Sequence, residues 1–131
     1  MKRHAALLQH SREHHHSLKL ARLASFAADS GSPEAIAQAA ATILEECPET
    51  IEAHFRGEEE GILQQMEAIG QHELVARTLA EHARLRELCQ HMRQPDAATL
   101  AEFGNLLRDH VRFEERELFE VAQDLLYPVS A

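Results

Sequence analysis

His54-Phe55-Arg56-Gly57-Glu58-Glu59 and His110-Val111-Arg112-Phe113-Glu114-Glu115 are one pattern written twice: His, apolar, Arg, any residue, Glu, Glu. Helical spacing puts His54 with Glu58, and His110 with Glu114, on one helix face a turn apart. A Glu-His pair precedes each copy, Glu13-His14 before the first and Glu81-His82 before the second. Two such faces opposed inside a bundle would aim imidazole nitrogens and carboxylate oxygens at a common point. That is the donor set of a transition-metal site, with room for two ions.

Outward from these motifs, the punctuation divides the chain into four helices. The first covers 4–29 and is closed by Asp29-Ser30-Gly31-Ser32-Pro33. Ser32 as N-cap and Pro33 at the first helical position open the second. It runs to about Ala68, with a bend expected near Glu46–Glu49, because Pro48 removes a backbone donor. Ile69-Gly70-Gln71 is a stop, the third helix covers roughly 71–93, and Gln94-Pro95-Asp96 ends it. The fourth runs from about Ala97 to Tyr127, before Pro128. Connections this short between long helices predict an all-α, up-down-up-down antiparallel four-helix bundle. No alternating strand pattern competes with it.

The 131 residues read as one domain, 1–131, able to bury a core without disulfide staples. A net charge of −9 argues against nucleic acid or an anionic membrane surface as partner. Cys47 and Cys89 stand far apart in no CxxC spacing and read as small core-lining residues rather than a disulfide. No run approaches the ~20 apolar residues of a membrane span. The opening Met-Lys-Arg-His does not continue as a signal peptide, so a cytoplasmic, reducing compartment is the expectation.

Ten histidines in so short a chain are an excess, and His10, His14, His15 and His16 crowd the first helix. Arg12 and Lys19 mark its solvent side. His14 stacks with Leu7, Leu18 and Ala21 on the other side, whereas His15 is flanked by Lys19 and Arg22. His14 is therefore the candidate ligand, with His15 as the alternative, and His10 and His16 read as surface residues. His54 and Glu58 fall beside Ile51, Phe55 and Ile62, and His110 and Glu114 are bracketed by Leu107, Phe113 and Leu118. Ionisable residues on a buried face are costly unless paired or metal-bound. The resulting set gives one ion to His14 and His54 and another to His82 and His110, with Glu58 and Glu114 bridging. Imidazole with carboxylate suits iron, manganese or zinc. Four protein donors per ion leave room for a solvent bridge and an exchangeable position. Glu59 and Glu115 are expected to support the ligands, and Arg56 and Arg112 to pair with those glutamates.

These residues, from Glu13-His14 through His54-Phe55-Arg56-Gly57-Glu58-Glu59 and Glu81-His82 to His110-Val111-Arg112-Phe113-Glu114-Glu115, resemble the hemerythrin-like (HHE cation-binding) family over nearly the whole chain. The resemblance implies an up-down bundle holding two iron ions with an oxo or hydroxo bridge. It implies His14 (or His15), His54, His82 and His110 as ligands and Glu58 and Glu114 as bridges. It also implies a small ligand such as O2, peroxide or nitric oxide. Oxygen-carrying hemerythrins have a second histidine one turn after the third-helix ligand and a carboxylate five residues after the last histidine. Here the first position is Arg86, and Glu114 follows His110 by four. One metal lacks a nitrogen donor, which implies a more open centre than an oxygen carrier's. The ferritin-like di-iron pattern needs Glu-x-x-His on two helices, and only Glu13-x-x-His16 fits it.

The leading functional expectation is a di-iron protein that binds or senses O2 or a related small ligand, or buffers iron. Rival classes are a di-iron enzyme acting on peroxide or nitric oxide, and a regulatory module whose helices tighten when metal binds.

Overall fold

The computed structural model describes residues 3–128. Helix α1 (Ala5–Ser30) forms the first rod. The second is made of α2 (Pro33–Glu46), a π-helical turn (Cys47–Ile51), α3 (Glu52–Glu60) and α4 (Ile62–Ala68). Helix α5 (His72–His91) is the third rod. The fourth joins α6 (Ala97–Phe113), a second π turn (Glu114–Leu118) and α7 (Phe119–Leu126). The rods make an antiparallel up-down-up-down bundle, and no strand occurs among the described residues. Among them, no helix is long and apolar enough to cross a membrane.

The caps follow local chemistry. Ser32 accepts from the Ala35 N–H and Asp96 from the Thr99 N–H, satisfying donors left open at the starts of α2 and α6. Gly31 closes α1 at φ 65°, a left-handed conformation costly for residues with a Cβ. In the second rod the irregularity expected around Pro48 takes the form of a π turn. Pro48 is absorbed by the π turn, whose wider backbone ring makes do without the missing donor, and the rod continues without a break. A discontinuity falls instead at Gly61, where φ −112° and ψ −96° separate α3 from α4.

The core is divided along the bundle axis. One apolar cluster gathers Leu20, Ala24, Ile43, Phe55, Leu85, Phe103 and Leu107 with their neighbours. The other gathers Leu7, Ile62, Met66, Val75, Phe113, Leu118 and Phe119. Each rod crosses from one cluster to the other through its motif, so the polar residues form a layer sealed above and below.

Helices α1 and α6 approach closely because Gly104 has no side chain. A Cβ there would lie 2.4 Å from Ser25 Oγ and 2.8 Å from the Ala21 carbonyl oxygen. The hydroxyl can rotate away but the carbonyl cannot. Alanine gains about 1 kcal/mol of helix propensity over glycine, yet here the two helices must separate. Gly104→Ala is therefore expected to lose about 1–2 kcal/mol net in urea unfolding. A gain in stability would show that the contact yields freely.

Cys47 and Cys89 correct the sequence reading: they form a disulfide, with Cα atoms 6.4 Å apart. A sequence separation of 42 hid the pairing, because proximity is made by the antiparallel register and not by local spacing. The bond fastens the π turn of the second rod to the end of α5.

Candidate metal centre

His14 reaches the polar layer from α1, His54 and Glu58 from α3, and His82 from α5. His110 ends α6, and Glu114 begins the second π turn. Glu58, His82 and Glu114 are fully buried, and His14, His54 and His110 are at most 4% exposed. His15, the alternative on α1, faces solvent. His16 is half-exposed and pairs with Glu46 at 2.9 Å. His10, expected on the surface, is instead only 16% exposed. It packs edge-on against His54 and rests on Gly57, whose missing side chain makes the space.

The six inward residues form two donor groups sharing both carboxylates. His14, His54, Glu58 and Glu114 make one, and His82, His110, Glu58 and Glu114 the other, with the donor atoms of each group within 4.8 Å of one another. Glu58 Oε2 lies 3.4 Å from His54 Nε2 and 3.8 Å from His14 Nε2. Its Oε1 lies 3.2 Å from His82 Nε2. Glu114 answers with Oε1, 2.7 Å from His14 Nε2, and Oε2, 3.3 Å from His110 Nε2. Each carboxylate thus presents one oxygen to each group.

Outside this layer, every histidine is held by a carboxylate at Nδ1. His14 contacts Glu115 at 2.6 Å, His54 contacts Glu13 at 2.6 Å, and His82 contacts Glu59 at 2.7 Å. His110 contacts Glu81 at 2.7 Å. An ionised carboxylate only accepts, so each contact places an imidazole proton on Nδ1 and aims Nε2 inward; His14, which also meets the ionised Glu114 at Nε2, carries a second proton there in the metal-free protein. Such contacts orient ligating histidines and raise their basicity. Burial alone would raise the four outer carboxylates. Their hydrogen bonds outweigh it, and all four are held below the ordinary range: Glu13 by His54, Glu59 by Arg86 and His82, Glu81 by His110 and Arg77, and Glu115 by His14 and Ser11.

Sequence reasoning placed Glu59 and Glu115 beside the ligands but gave Glu13 and Glu81 no such role. The pairing is also crossed: Glu13 precedes His14 yet holds His54, and Glu81 precedes His82 yet holds His110. Adjacent residues on a helix point about 100° apart, so a glutamate next to an inward histidine faces the neighbouring rod. The second π turn modifies this geometry. Its wider turn narrows the angle between Glu114 and Glu115, and the two grip opposite nitrogens of the same His14.

The two arginines of the repeat do not pair with those glutamates. Arg56 lies 3.7 Å from Glu52 and is 70% exposed, and Arg112 is exposed with no ion pair among the described residues. The cation that serves the site is Arg86. It bonds both oxygens of Glu59, at 2.9 and 3.1 Å, and both oxygens of Glu52, at 2.8 and 3.0 Å. Phe55 lies beneath its guanidinium and stacks on the His82 ring at 3.9 Å.

The electrostatics of the layer call for cations. Burial, followed by the adjacent Glu114, drives the Glu58 carboxyl well above its usual range. Burial pushes Glu114 the same way, but His110, His14 and His82 prevail and hold it ionised. Burial also disfavours charge on His110, but Glu114 and Glu81 overcome it and raise its pKa to about 9. His54, desolvated and beside His14, falls to about 4. Meanwhile Nε2 of His54, His82 and His110, both oxygens of Glu58 and Oε2 of Glu114 are buried without hydrogen-bond partners. Native interiors leave only a few such atoms, scattered through the fold. Six of them, all nitrogen or oxygen and all facing the same layer, fit two divalent cations.

No curated protein and no solved structure matches the chain closely. The model of the hemerythrin HHE cation-binding domain matches residues 7–122, from the start of the inner face of α1 to the last core residue of α7. With the bundle and the buried histidine–glutamate layer in agreement, this chain belongs to the hemerythrin HHE cation-binding family.

Proposed function

We propose that the protein holds two iron ions in the buried layer and uses them to bind or sense O2 or a related small ligand such as peroxide or nitric oxide. One observation carries this reading: two four-donor groups share both carboxylates, and their facing atoms lack other partners. In this reading His14 and His54 hold one ion, His82 and His110 the other, and Glu58 and Glu114 bridge them. Nitrogen and oxygen donors without thiolate suit iron, with manganese or zinc as chemical alternatives. The bound metal pair would supply redox-active Lewis acidity and an exchangeable position for a small ligand.

The chain's own residues do the rest. Phe55, Ile62, Phe113 and Leu118, buried to 3% exposure or less, exclude bulk water from the layer. Glu13, Glu59, Glu81 and Glu115 fix the imidazole tautomers. The surface cavities between α2 and α5 and between α4 and α5 are lined by none of the six inward residues, which favours a diatomic-sized ligand over an organic substrate. A cytoplasmic setting belongs to this reading only with the Cys47–Cys89 bond exposed to reducing thiols, since disulfides persist mainly in oxidising compartments.

Elemental analysis of protein expressed in iron-rich medium, with a visible spectrum, tests it. About two irons per chain are expected, together with a visible absorption that disappears in a His54→Ala variant. One zinc per chain that survives the substitution would overturn the dinuclear reading.

Protons and metal compete for the same atoms. Glu58, His14 and His110 all have raised pKa values in the metal-free protein. Metal must displace their protons, so affinity is expected to increase with pH and to level off near pH 9, where His110 is deprotonated. Competition titrations against a chelator, corrected for the chelator's own protonation, read this slope. An affinity independent of pH between 6 and 8 would contradict the proposed ligand set.

A further inference from the structure

The Cys47–Cys89 bond lies in the wall of a surface cavity of about 380 Å³ between the second and third rods. Leu44, Pro48 and Ile51 supply its apolar side, and Glu52, Arg86 and Arg93 its charged side. Cys47 is half-buried, whereas Cys89 is 8% exposed, so Cys47 is the more approachable sulfur. Arg86 is occupied by Glu52 and Glu59, but Arg93 makes no ion pair among the described residues. An unpaired guanidinium thus stands beside a disulfide in a chain of net charge −9.

The bond lies on the same two rods as inward histidines of the polar layer. Cys47 precedes His54 by seven residues and Cys89 follows His82 by seven. Two helical turns therefore separate each sulfur from an inward histidine. Arg86, in the same cavity, grips the Glu59 that holds His82.

We propose that Cys47–Cys89 is a thiol–disulfide exchange site for a small carboxylate-bearing thiol, and that opening it loosens the metal centre. The first clause stands on the cavity alone; the second rests on the metal reading above. The incoming thiolate attacks Cys47 Sγ in line with the disulfide, forming a mixed disulfide and expelling Cys89 as thiolate. That thiolate leaves into the cavity that Arg93 lines, whose unpaired guanidinium favours the anion and hence its departure, and it then takes a proton from solvent. A second thiolate attacks the outer sulfur of the mixed disulfide, giving the free Cys47 thiol and the oxidised small thiol. Two thiols supply the two electrons that reduce the protein bond. With the bond open, the π turn that precedes α3 is no longer tied to α5, and His54 and His82 lose a shared covalent brace.

Glutathione (anionic) and cysteamine (cationic) are the probes, used on the full chain with and without metal, with products located by mass spectrometry. The expected result is a mixed disulfide at Cys47 in the folded protein. Per thiolate, glutathione should exceed cysteamine several-fold at low salt despite the protein's net negative charge. Arg93→Glu should remove that preference. Exchange only at the rate of global unfolding, or a preference for cysteamine in the parent protein, overturns the exchange site. For the second clause, zinc-loaded protein is reduced, freed of thiol and challenged with a chelator. Metal loss about ten-fold faster than from the oxidised form is expected, and a Cys47→Ser/Cys89→Ser double variant should match it without any thiol. Equal loss rates overturn the coupling. Exchange in a protein that takes up no metal overturns the metal reading and leaves the exchange site standing.

Discussion

A Glu58→Gln variant should lose the dinuclear centre and yet, without metal, fold more stably than the parent. The amide has nearly the shape of the carboxyl but supplies no anion, and its NH2 replaces one of the two bridging oxygens, so one group loses a donor and the bridge is broken. Affinity is expected to fall by at least about a hundredfold, beyond the usual cost of removing a supporting carboxylate. The gain in metal-free stability follows from the sign of the Glu58 shift. Its folded pKa lies above the ordinary 4.5 because of burial and then of Glu114. The folded state therefore keeps a proton that the unfolded state releases, which lowers stability at every pH above about 4.5. Glutamine has no proton to release, so the variant should gain about 1 kcal/mol or more at pH 7, and the advantage should vanish near pH 4. Urea unfolding of the metal-free pair at both pH values reads this. A variant less stable at pH 7 would mean that Glu58 is structural rather than held in place for a ligand. The expected trade, stability given up at a functional layer, is common in sites that must bind charge.

A Cys89→Ser variant should show the largest loss of stability. The bond closes a loop between residues 42 apart, and constraining a loop of that length in the unfolded chain contributes about 4 kcal/mol in the chain-entropy account. For a domain of this size that corresponds to a fall in Tm of roughly 15 °C. Equilibrium unfolding of oxidised parent and variant, both metal-free, tests it. The denaturant slope should also rise, because the unlinked chain exposes more surface. A difference under about 1 kcal/mol would show that the disulfide adds little constraint, and would undercut the brace between His54 and His82. Four kcal/mol is a large share of the stability of any small domain, so a thiol able to open this bond would have a lever on the whole second and third rods.

The two substitutions probe different levels of the architecture. Glu58 belongs to a layer that the apolar clusters above and below tolerate only because its charges can be matched. The disulfide ties two of the four rods that wall that layer and sets how firmly they are joined.

Much of the bundle and of its inward layer was legible in the chain, for a local reason. A helix repeats its facing every three to four residues, so His54 with Glu58 and His110 with Glu114 declare a common face without knowledge of any neighbour. The cap at Ser32 and the stop at Gly70 are likewise decided within a few residues of themselves. His14 could be preferred over His15 because Arg12 and Lys19 mark the wet side of the same helix.

What only the tertiary structure decided is everything that depends on which rod lies beside which. The crossed supports, Glu13 to His54 and Glu81 to His110, arise because a residue next to an inward histidine faces the adjacent rod. Arg86 reads from sequence as the place of a missing ligand. In the fold it reaches across to Glu52 and Glu59 and takes the supporting role expected of Arg56 and Arg112. His10 reads as surface until Gly57 on the facing helix gives it a place to pack. Cys47 and Cys89 each stand seven residues from a histidine, in opposite chain directions, and an antiparallel register makes them neighbours. Helical periodicity is a one-chain property and is written in the sequence; register between helices is a two-surface property, settled only when the side chains of both interlock.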